Sequence, residues 1–257
     1  MPEFCKAERD GHILTVTMNR PQRMNALHSP SHFEMDEIFN DFESDPDLWV
    51  AIVTGAGDKA FSAGNDLKWQ AEGKKTEPPA SGFAGLVNRF NMKKPIIGAV
   101  NGLAMGGGFE VALACDIIIA AENAFFALPE PRVGLAALAG GLHRLSRQIP
   151  MKQAMGMILT GRRVMAEEGQ KLGFVTEVVP EGGALEGARR WAELISECSP
   201  VSIRTSKDVV LRGQDHPSVG EAMLAEYQSI EDMKNSLDFI EGPLAFSEKR
   251  PPDWKGR

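Results

Sequence analysis

The sequence predicts an α/β fold, on three observations. Short apolar runs at 12–18, 49–54, 95–100 and 115–121 each read as a strand closed by a turn signal, with helical spacing between several of them. From Leu138 onward the pattern is helical almost without interruption, broken by one further strand at 174–179. Two glycine-rich turns follow strands in the first half, one around Gly64 and one at Gly106, Gly107 and Gly108.

Taken in order, Ser29, Pro30 and Ser31 start a helix whose apolar positions Phe33, Met35, Ile38, Phe39 and Phe42 recur at helical spacing, and Asp45 and Pro46 end it. Residues 73–85, with two lysines, a Pro78–Pro79 pair and Ser81–Gly82, read as a flexible loop. Residues 86–94 read as helical, and 125–131 as a short strand broken by prolines. Further helices are expected around 140–148, 151–159, 166–172, 184–198, 199–212 and 218–248.

With 257 residues, 43% hydrophobic and 25% charged, the chain can bury one large core. A net charge of −7 argues against nucleic acid and anionic membrane as main partners. No apolar run is long enough to span a bilayer, and no secretory signal is evident. Three well-separated cysteines, Cys5, Cys115 and Cys198, give no disulfide framework and no zinc spacing, so a reducing cytoplasm is expected.

The chemistry concentrates at 101–110. Glycines at a helix start permit close backbone approach and leave N–H groups unpaired in the positive field of the helix end. The dinucleotide spacing G-x-G-x-x-G and the phosphate-loop G-K-[ST] are both absent. Two separate glycine turns can instead aim two N–H groups at one carbonyl oxygen. Glu110 sits in the helix's first turn and Glu130 lies twenty residues on, so two carboxylates could share a water as base and acid. A first-turn glutamate also complements the helix dipole, and Asp66 can simply pin its own turn. The five histidines show no ligand spacing.

These motifs resemble the crotonase, or enoyl-CoA hydratase/isomerase, superfamily over nearly the whole chain. The resemblance rests on Asn19, Arg20 and Pro21 with Asn25, Ala26 and Leu27, on 60–68 and 101–110, and on Cys115–Asp116. It extends through Leu128, Pro129 and Glu130 with Gly134, then 160–162, 166–169 and 245–250. It implies a spiral of ββα turns forming a core at 1–198, and a helical region at 199–257 that mediates trimerisation. It further implies an oxyanion hole from the N–H groups of Asn65 and Gly107 and catalytic roles for Glu110 and Glu130. Glu130 would exchange a proton with the α-carbon while Glu110 activates water. Ala26, Lys59, Ala63, Asp66 and Lys68 would bind CoA, with Phe246 and Lys249 reaching the CoA of an adjacent subunit. The implied substrate is an acyl-CoA thioester, with no metal or redox cofactor, and the implied assembly is a trimer or dimer of trimers.

Within the superfamily, 33–35, 51–57, 82–86, 125–130, 240–246 and 254–257 resemble the carnitinyl-CoA dehydratases (crotonobetainyl-CoA hydratases). Asn65 stands where that branch tends to have Trp, and 136–139 is an Ala-Ala-Leu-Ala loop where it usually has proline. The expected activity is therefore hydration of an uncharged 2-enoyl-CoA. Crotonobetainyl-CoA hydration, isomerisation and a hydratase-lyase reaction are the alternatives. Trp69, Phe83 and Phe126 are the rings that could meet an acyl tail.

Overall fold

The computed structural model describes residues 3–257. A hairpin of β1 (Cys5–Asp10) and β2 (Ile13–Met18) opens the chain, followed by α1 (Ser29–Ser44). Three coils of a spiral come next, each giving one strand to each of two sheets. They pair β3 (Val50–Gly55) with β4 (Ala60–Ser62), β5 (Ile96–Val100) with β6 (Leu103–Met105), and β7 (Ile117–Ala121) with β8 (Phe125–Ala127). Between β4 and β5 lies α2 (Leu67–Ala71), and between β6 and β7 lies α3 (Gly107–Ala114). Then follow α4 (Gly141–Gln148), α5 (Met151–Thr160), β9 (Val164–Met165), α6 (Ala166–Leu172), β10 (Glu177–Val179) and α7 (Ala184–Ser196). The chain closes with α8 (Pro200–Gly213), α9 (Val219–Leu224), α10 (Gln228–Lys234) and α11 (Leu237–Glu248).

The larger sheet runs β1-β2-β3-β5-β7-β10 and is parallel from β2 onward; the smaller runs β4-β6-β8-β9. Strands covered on both faces should be continuously apolar rather than alternating. β3 and β5 are buried at every position, and α7 packs across β3, β5 and β7. Phe109 on α3, Phe126 on β8 and Phe174 form a triangle with ring centroids 5.1–5.2 Å apart, which seats α3 against the smaller sheet. Gly108 allows the closest approach, because a Cβ there would stand 2.1 Å from the Ser62 carbonyl oxygen on β4.

Several expectations are corrected. Residues 86–94 are turns rather than helix, because their side chains are anchored to α1. Arg89 binds the Asp36 carboxylate at 2.7 Å and the Gly85 carbonyl, and buried Lys94 donates to the Phe42 and Asp45 carbonyls. The strand expected at 174–179 shortens to β10, since Phe174 and Val175 both donate to the Gly169 carbonyl. The helical stretch at 218–248 is three helices, two of them capped by Ser218 and Ser236. Cys115 ends α3 instead of opening β7, and β1 had no clear pattern to announce it. Among the described residues no helix is long and apolar enough to cross a membrane.

If the approach of α3 to β4 fixes the spiral, Gly108→Ala should destabilise the fold by about 1–3 kcal/mol or prevent folding. Thermal melts beside Gly156→Ala, where a Cβ meets nothing within 4 Å, should show the contrast.

Candidate active site

The first glycine turn is held by an unusual backbone. Met24 and Asn25 both adopt left-handed conformations, at φ 51 and 52. Asn25 sustains this by donating to the Ala56 and Ala60 carbonyls while accepting from the Arg20 N–H. Arg20 donates to the Ala26 carbonyl and forms a buried ion pair with Asp66 at 2.9 Å. Asp66 also caps α2 by accepting from the Trp69 N–H. After β4, the Ser62 hydroxyl donates to the Asn25 carbonyl and accepts from the Gly64 N–H. Gly64, at φ 83, then brings the chain against the second turn: a Cβ there would lie 2.7 Å from the Gly107 nitrogen.

The second turn follows β6 and begins α3. Gly106 donates to the Ala127 carbonyl, and its own carbonyl accepts the Glu110 N–H. Neither the Asn65 N–H nor the Gly107 N–H donates to any described residue. Two unsatisfied donors therefore stand at adjoining backbone turns, one of them at a helix start. Such donors are suited to an oxygen that carries negative charge.

Both carboxylates reach this place. Glu110 is 3% exposed, and its Oε1 accepts the Gly141 N–H at 2.8 Å. Burial raises its pKa to about 7; the Gly141 N–H opposes the rise and the neighbouring Glu130 charge adds to it. Glu130 follows Pro129 at the start of a short 3-10 turn, Glu130–Val133. Its Oε1 lies against Gly106, where a Cβ would be 2.9 Å away, and burial raises its pKa too. Its Oε2 is buried with no hydrogen-bonding partner among the described residues. A buried carboxylate oxygen without a partner beside two free N–H donors calls for a polar ligand atom.

Of the remaining candidates, Ala26, Ala63 and Asp66 belong to the first turn itself, where the Ala63 N–H donates to the Met24 carbonyl. Both Asp66 carboxylate oxygens are engaged within the chain. Lys59, at the entry to β4, borders a cavity of about 190 Å³ with Pro21, Asn25 and residues 56–60. Lys68 is exposed on α2. Phe246 and Lys249 stand apart: α11 packs on α10, Phe246 is left 88% exposed, and Lys249 caps the helix at φ 54.

A family profile described as enoyl-CoA hydratase/isomerase matches residues 8–257. The chain belongs to the enoyl-CoA hydratase/isomerase family. A carnitinyl-CoA dehydratase from Escherichia coli K12 is 44% identical to it over the full length of both chains. A crystal structure of an enoyl-CoA hydratase from Mycobacterium tuberculosis H37Rv superposes at TM-score 0.94 with 35% identity, each chain fully covered. A carnitinyl-CoA hydratase from Mycobacterium avium superposes at 0.79 with 39% identity, covering 99% of both.

In this hydratase/isomerase chain the three candidate rings have different fates. Phe126 is fully buried in the aromatic triangle. Trp69 donates from its indole to the Lys75 carbonyl and carries the Lys74 ammonium 4.3 Å from its ring centre. Phe83 reaches the second glycine turn, where a Cβ on Gly107 would stand 2.5 Å from its ring. Sequence reading passed over Gly141, which binds Glu110; the Gly140–Gly141 pair opening a helix was its signal. It also passed over the buried bonding of Arg20 and Asn25, which only their place in the quoted motif could suggest.

The raised Glu110 pKa has a direct consequence for stability. A carboxyl whose folded pKa lies above its unfolded value near 4.5 binds more protons when folded, so folding stability falls as pH rises from about 4.5 through about 7. Glu110→Gln, which keeps an acceptor for the Gly141 N–H, should remove that loss. The variant is expected to gain on the order of 2–3 kcal/mol over wild type at pH 8, and little at pH 4.5. Urea unfolding at both pH values measures it.

Proposed function

We propose that this chain is a 2-enoyl-CoA hydratase, running as a dehydratase in reverse, with an uncharged short enoyl group as substrate. One observation carries the reading: two unpaired N–H groups, at Asn65 and Gly107, adjoin the buried Glu110 and the half-buried Glu130, both with raised pKa values. An isolated alkene resists water, but conjugation to a thioester lets the new charge reach the carbonyl oxygen. The Asn65 and Gly107 N–H groups hold that oxygen, each worth about 3–4 kcal/mol of barrier. Glu110 as carboxylate takes a proton from water as its oxygen bonds to C3, and Glu130 as acid delivers a proton to C2. The electron pair returns from the thioester oxygen to form the C2–H bond, and the proton counts balance. Two neighbouring carboxyls resist ionising together, which keeps one acid and one base available near neutral pH. CoA arrives with the substrate, and these steps call on no metal or redox cofactor.

Ala26, Ala63, Asp66, Lys59 and Lys68 form the flank assigned to CoA. The exposed Val219, Met223, Leu224, Ile240 and Phe246 support a trimer or dimer of trimers, with Phe246 and Lys249 serving a neighbour's CoA. Two buried free thiols, Cys5 and Cys115, suit a cytoplasmic setting. A phenyl ring against the Gly107 donor, with Trp69 already taken up by Lys74 and Lys75, favours an uncharged acyl group. Full-length identity of 44% to a carnitinyl-CoA dehydratase keeps crotonobetainyl-CoA as the second reading.

Incubation with crotonyl-CoA should yield 3-hydroxybutyryl-CoA; a shifted double bond would indicate an isomerase, and no product would defeat the assignment. Glu130→Gln and Glu110→Gln should each lower kcat by about 100-fold or more while acyl-CoA still binds. Sedimentation velocity at micromolar concentration should show a trimer or hexamer. Comparing kcat/KM for crotonyl- and crotonobetainyl-CoA decides the acyl group, and a preference for the betaine reverses it.

A further inference from the structure

The sequence 82–86, Gly-Phe-Ala-Gly-Leu, has no part in the chemistry above, yet its backbone is tightly constrained. Three of the four residues 82–85 have positive φ: Gly82 at 84, Ala84 at 58 and Gly85 at 58. Alanine in the left-handed region is strained, so its surroundings must hold it there. The Ala84 N–H donates to His32 Nδ1 at 3.0 Å, which requires that nitrogen to be unprotonated, and burial holds the His32 pKa down at about 4. Gly85 sits so close to α1 that a Cβ would lie 2.3 Å from the Asp36 nitrogen. The Asp36 carboxylate in turn accepts from Ser81 and Arg89.

All this fixes one side chain. Gly82, Ala84, Gly85, Leu86 and Val87 are buried, while Phe83 between them keeps an open face. Its ring packs on His32 at 4.4 Å and on Gly107, the residue whose N–H is free. The loop is also tied to the carboxylate side of the site. Arg144 donates to the Val87 carbonyl at 2.6 Å and lies beside Gly140, next to the Gly141 that binds Glu110. The Phe83 ring therefore stands against the Gly107 donor, on a loop tied to the helix whose Gly141 holds Glu110, where the enoyl group of a thioester bound at that N–H would meet it.

We propose that Phe83 is a specificity-determining residue, a rigid wall that admits unbranched acyl groups and rejects branching at C3. The proposal rests on the hydratase reading for where the acyl group lies. A wall that cannot yield discriminates by steric exclusion, and one methyl group in such a pocket is worth about 10–200-fold.

The test compares wild type with Phe83→Leu and Phe83→Ala. Binding of butyryl-CoA and isovaleryl-CoA, saturated thioesters that need no chemistry, is titrated first. Wild type should prefer butyryl-CoA, and the preference should shrink stepwise in Leu and Ala, by about tenfold or more in Ala. The kcat/KM ratio of crotonyl- to 3-methylcrotonyl-CoA should move in the same direction. Unchanged ratios, or equal losses on both acyl groups, would overturn the wall, since a merely structural role predicts one or the other. A wild type that binds with this selectivity but hydrates nothing would reject the hydratase reading and leave the wall standing. Should Phe83→Ala fail to fold, the Leu variant alone decides by the same ratios.

Discussion

The site depends on one backbone contact, that of the Gly64 turn against the start of α3. No side chain could be inserted there, since Gly64 abuts the Gly107 nitrogen and Gly108 abuts the Ser62 carbonyl. The contact joins two coils of the spiral that are far apart in sequence, and it brings both free N–H groups to one place. Everything around it serves to keep it closed: the left-handed Met24–Asn25 pair, the Arg20–Asp66 ion pair, and the aromatic triangle beneath α3. Donors held this way need no reorganisation when charge develops on a ligand oxygen, which is the main advantage a folded protein has over water.

The carboxylates show the complementary strategy. Isolated buried carboxyls would simply stay protonated. Here the Gly141 N–H returns part of the lost solvation to Glu110, while Glu130 keeps one oxygen unsatisfied. The result is two acids whose pKa values are both raised by burial, one of them steadied by a backbone N–H and the other with an oxygen left open.

How much of this was legible in the sequence varied with the range of the forces. Strands buried on both faces announced themselves as apolar runs, and α1 by its period, because those signals are local. Glu110 and Glu130 were legible through motif and spacing, and the structure brings both to the glycine turns. Residues 86–94 misled because Arg89 and Lys94 draw their partners from α1, about fifty positions away, and tertiary bonding overrode a helical pattern. The same distance hid the placement of Phe83. Trp69, Phe83 and Phe126 look alike as letters, and only packing separates a core ring, a ring covered by lysine and a ring at the turn.

The alternation of strands between two sheets also constrains how the chain can change its length. Each coil places one strand in each sheet and joins them by a short turn, so an inserted or deleted residue between β5 and β6, or between β7 and β8, would disturb the turn that carries the chain from one sheet to the other. Residues 73–82 lie in neither sheet, between α2 and the anchored loop at 83–85. Length variation in this connection leads directly to the ring beside Gly107. A fold that is stiff in its coils can thus reshape the surroundings of that ring by lengthening or shortening an external connection, leaving the two glycine turns where they are.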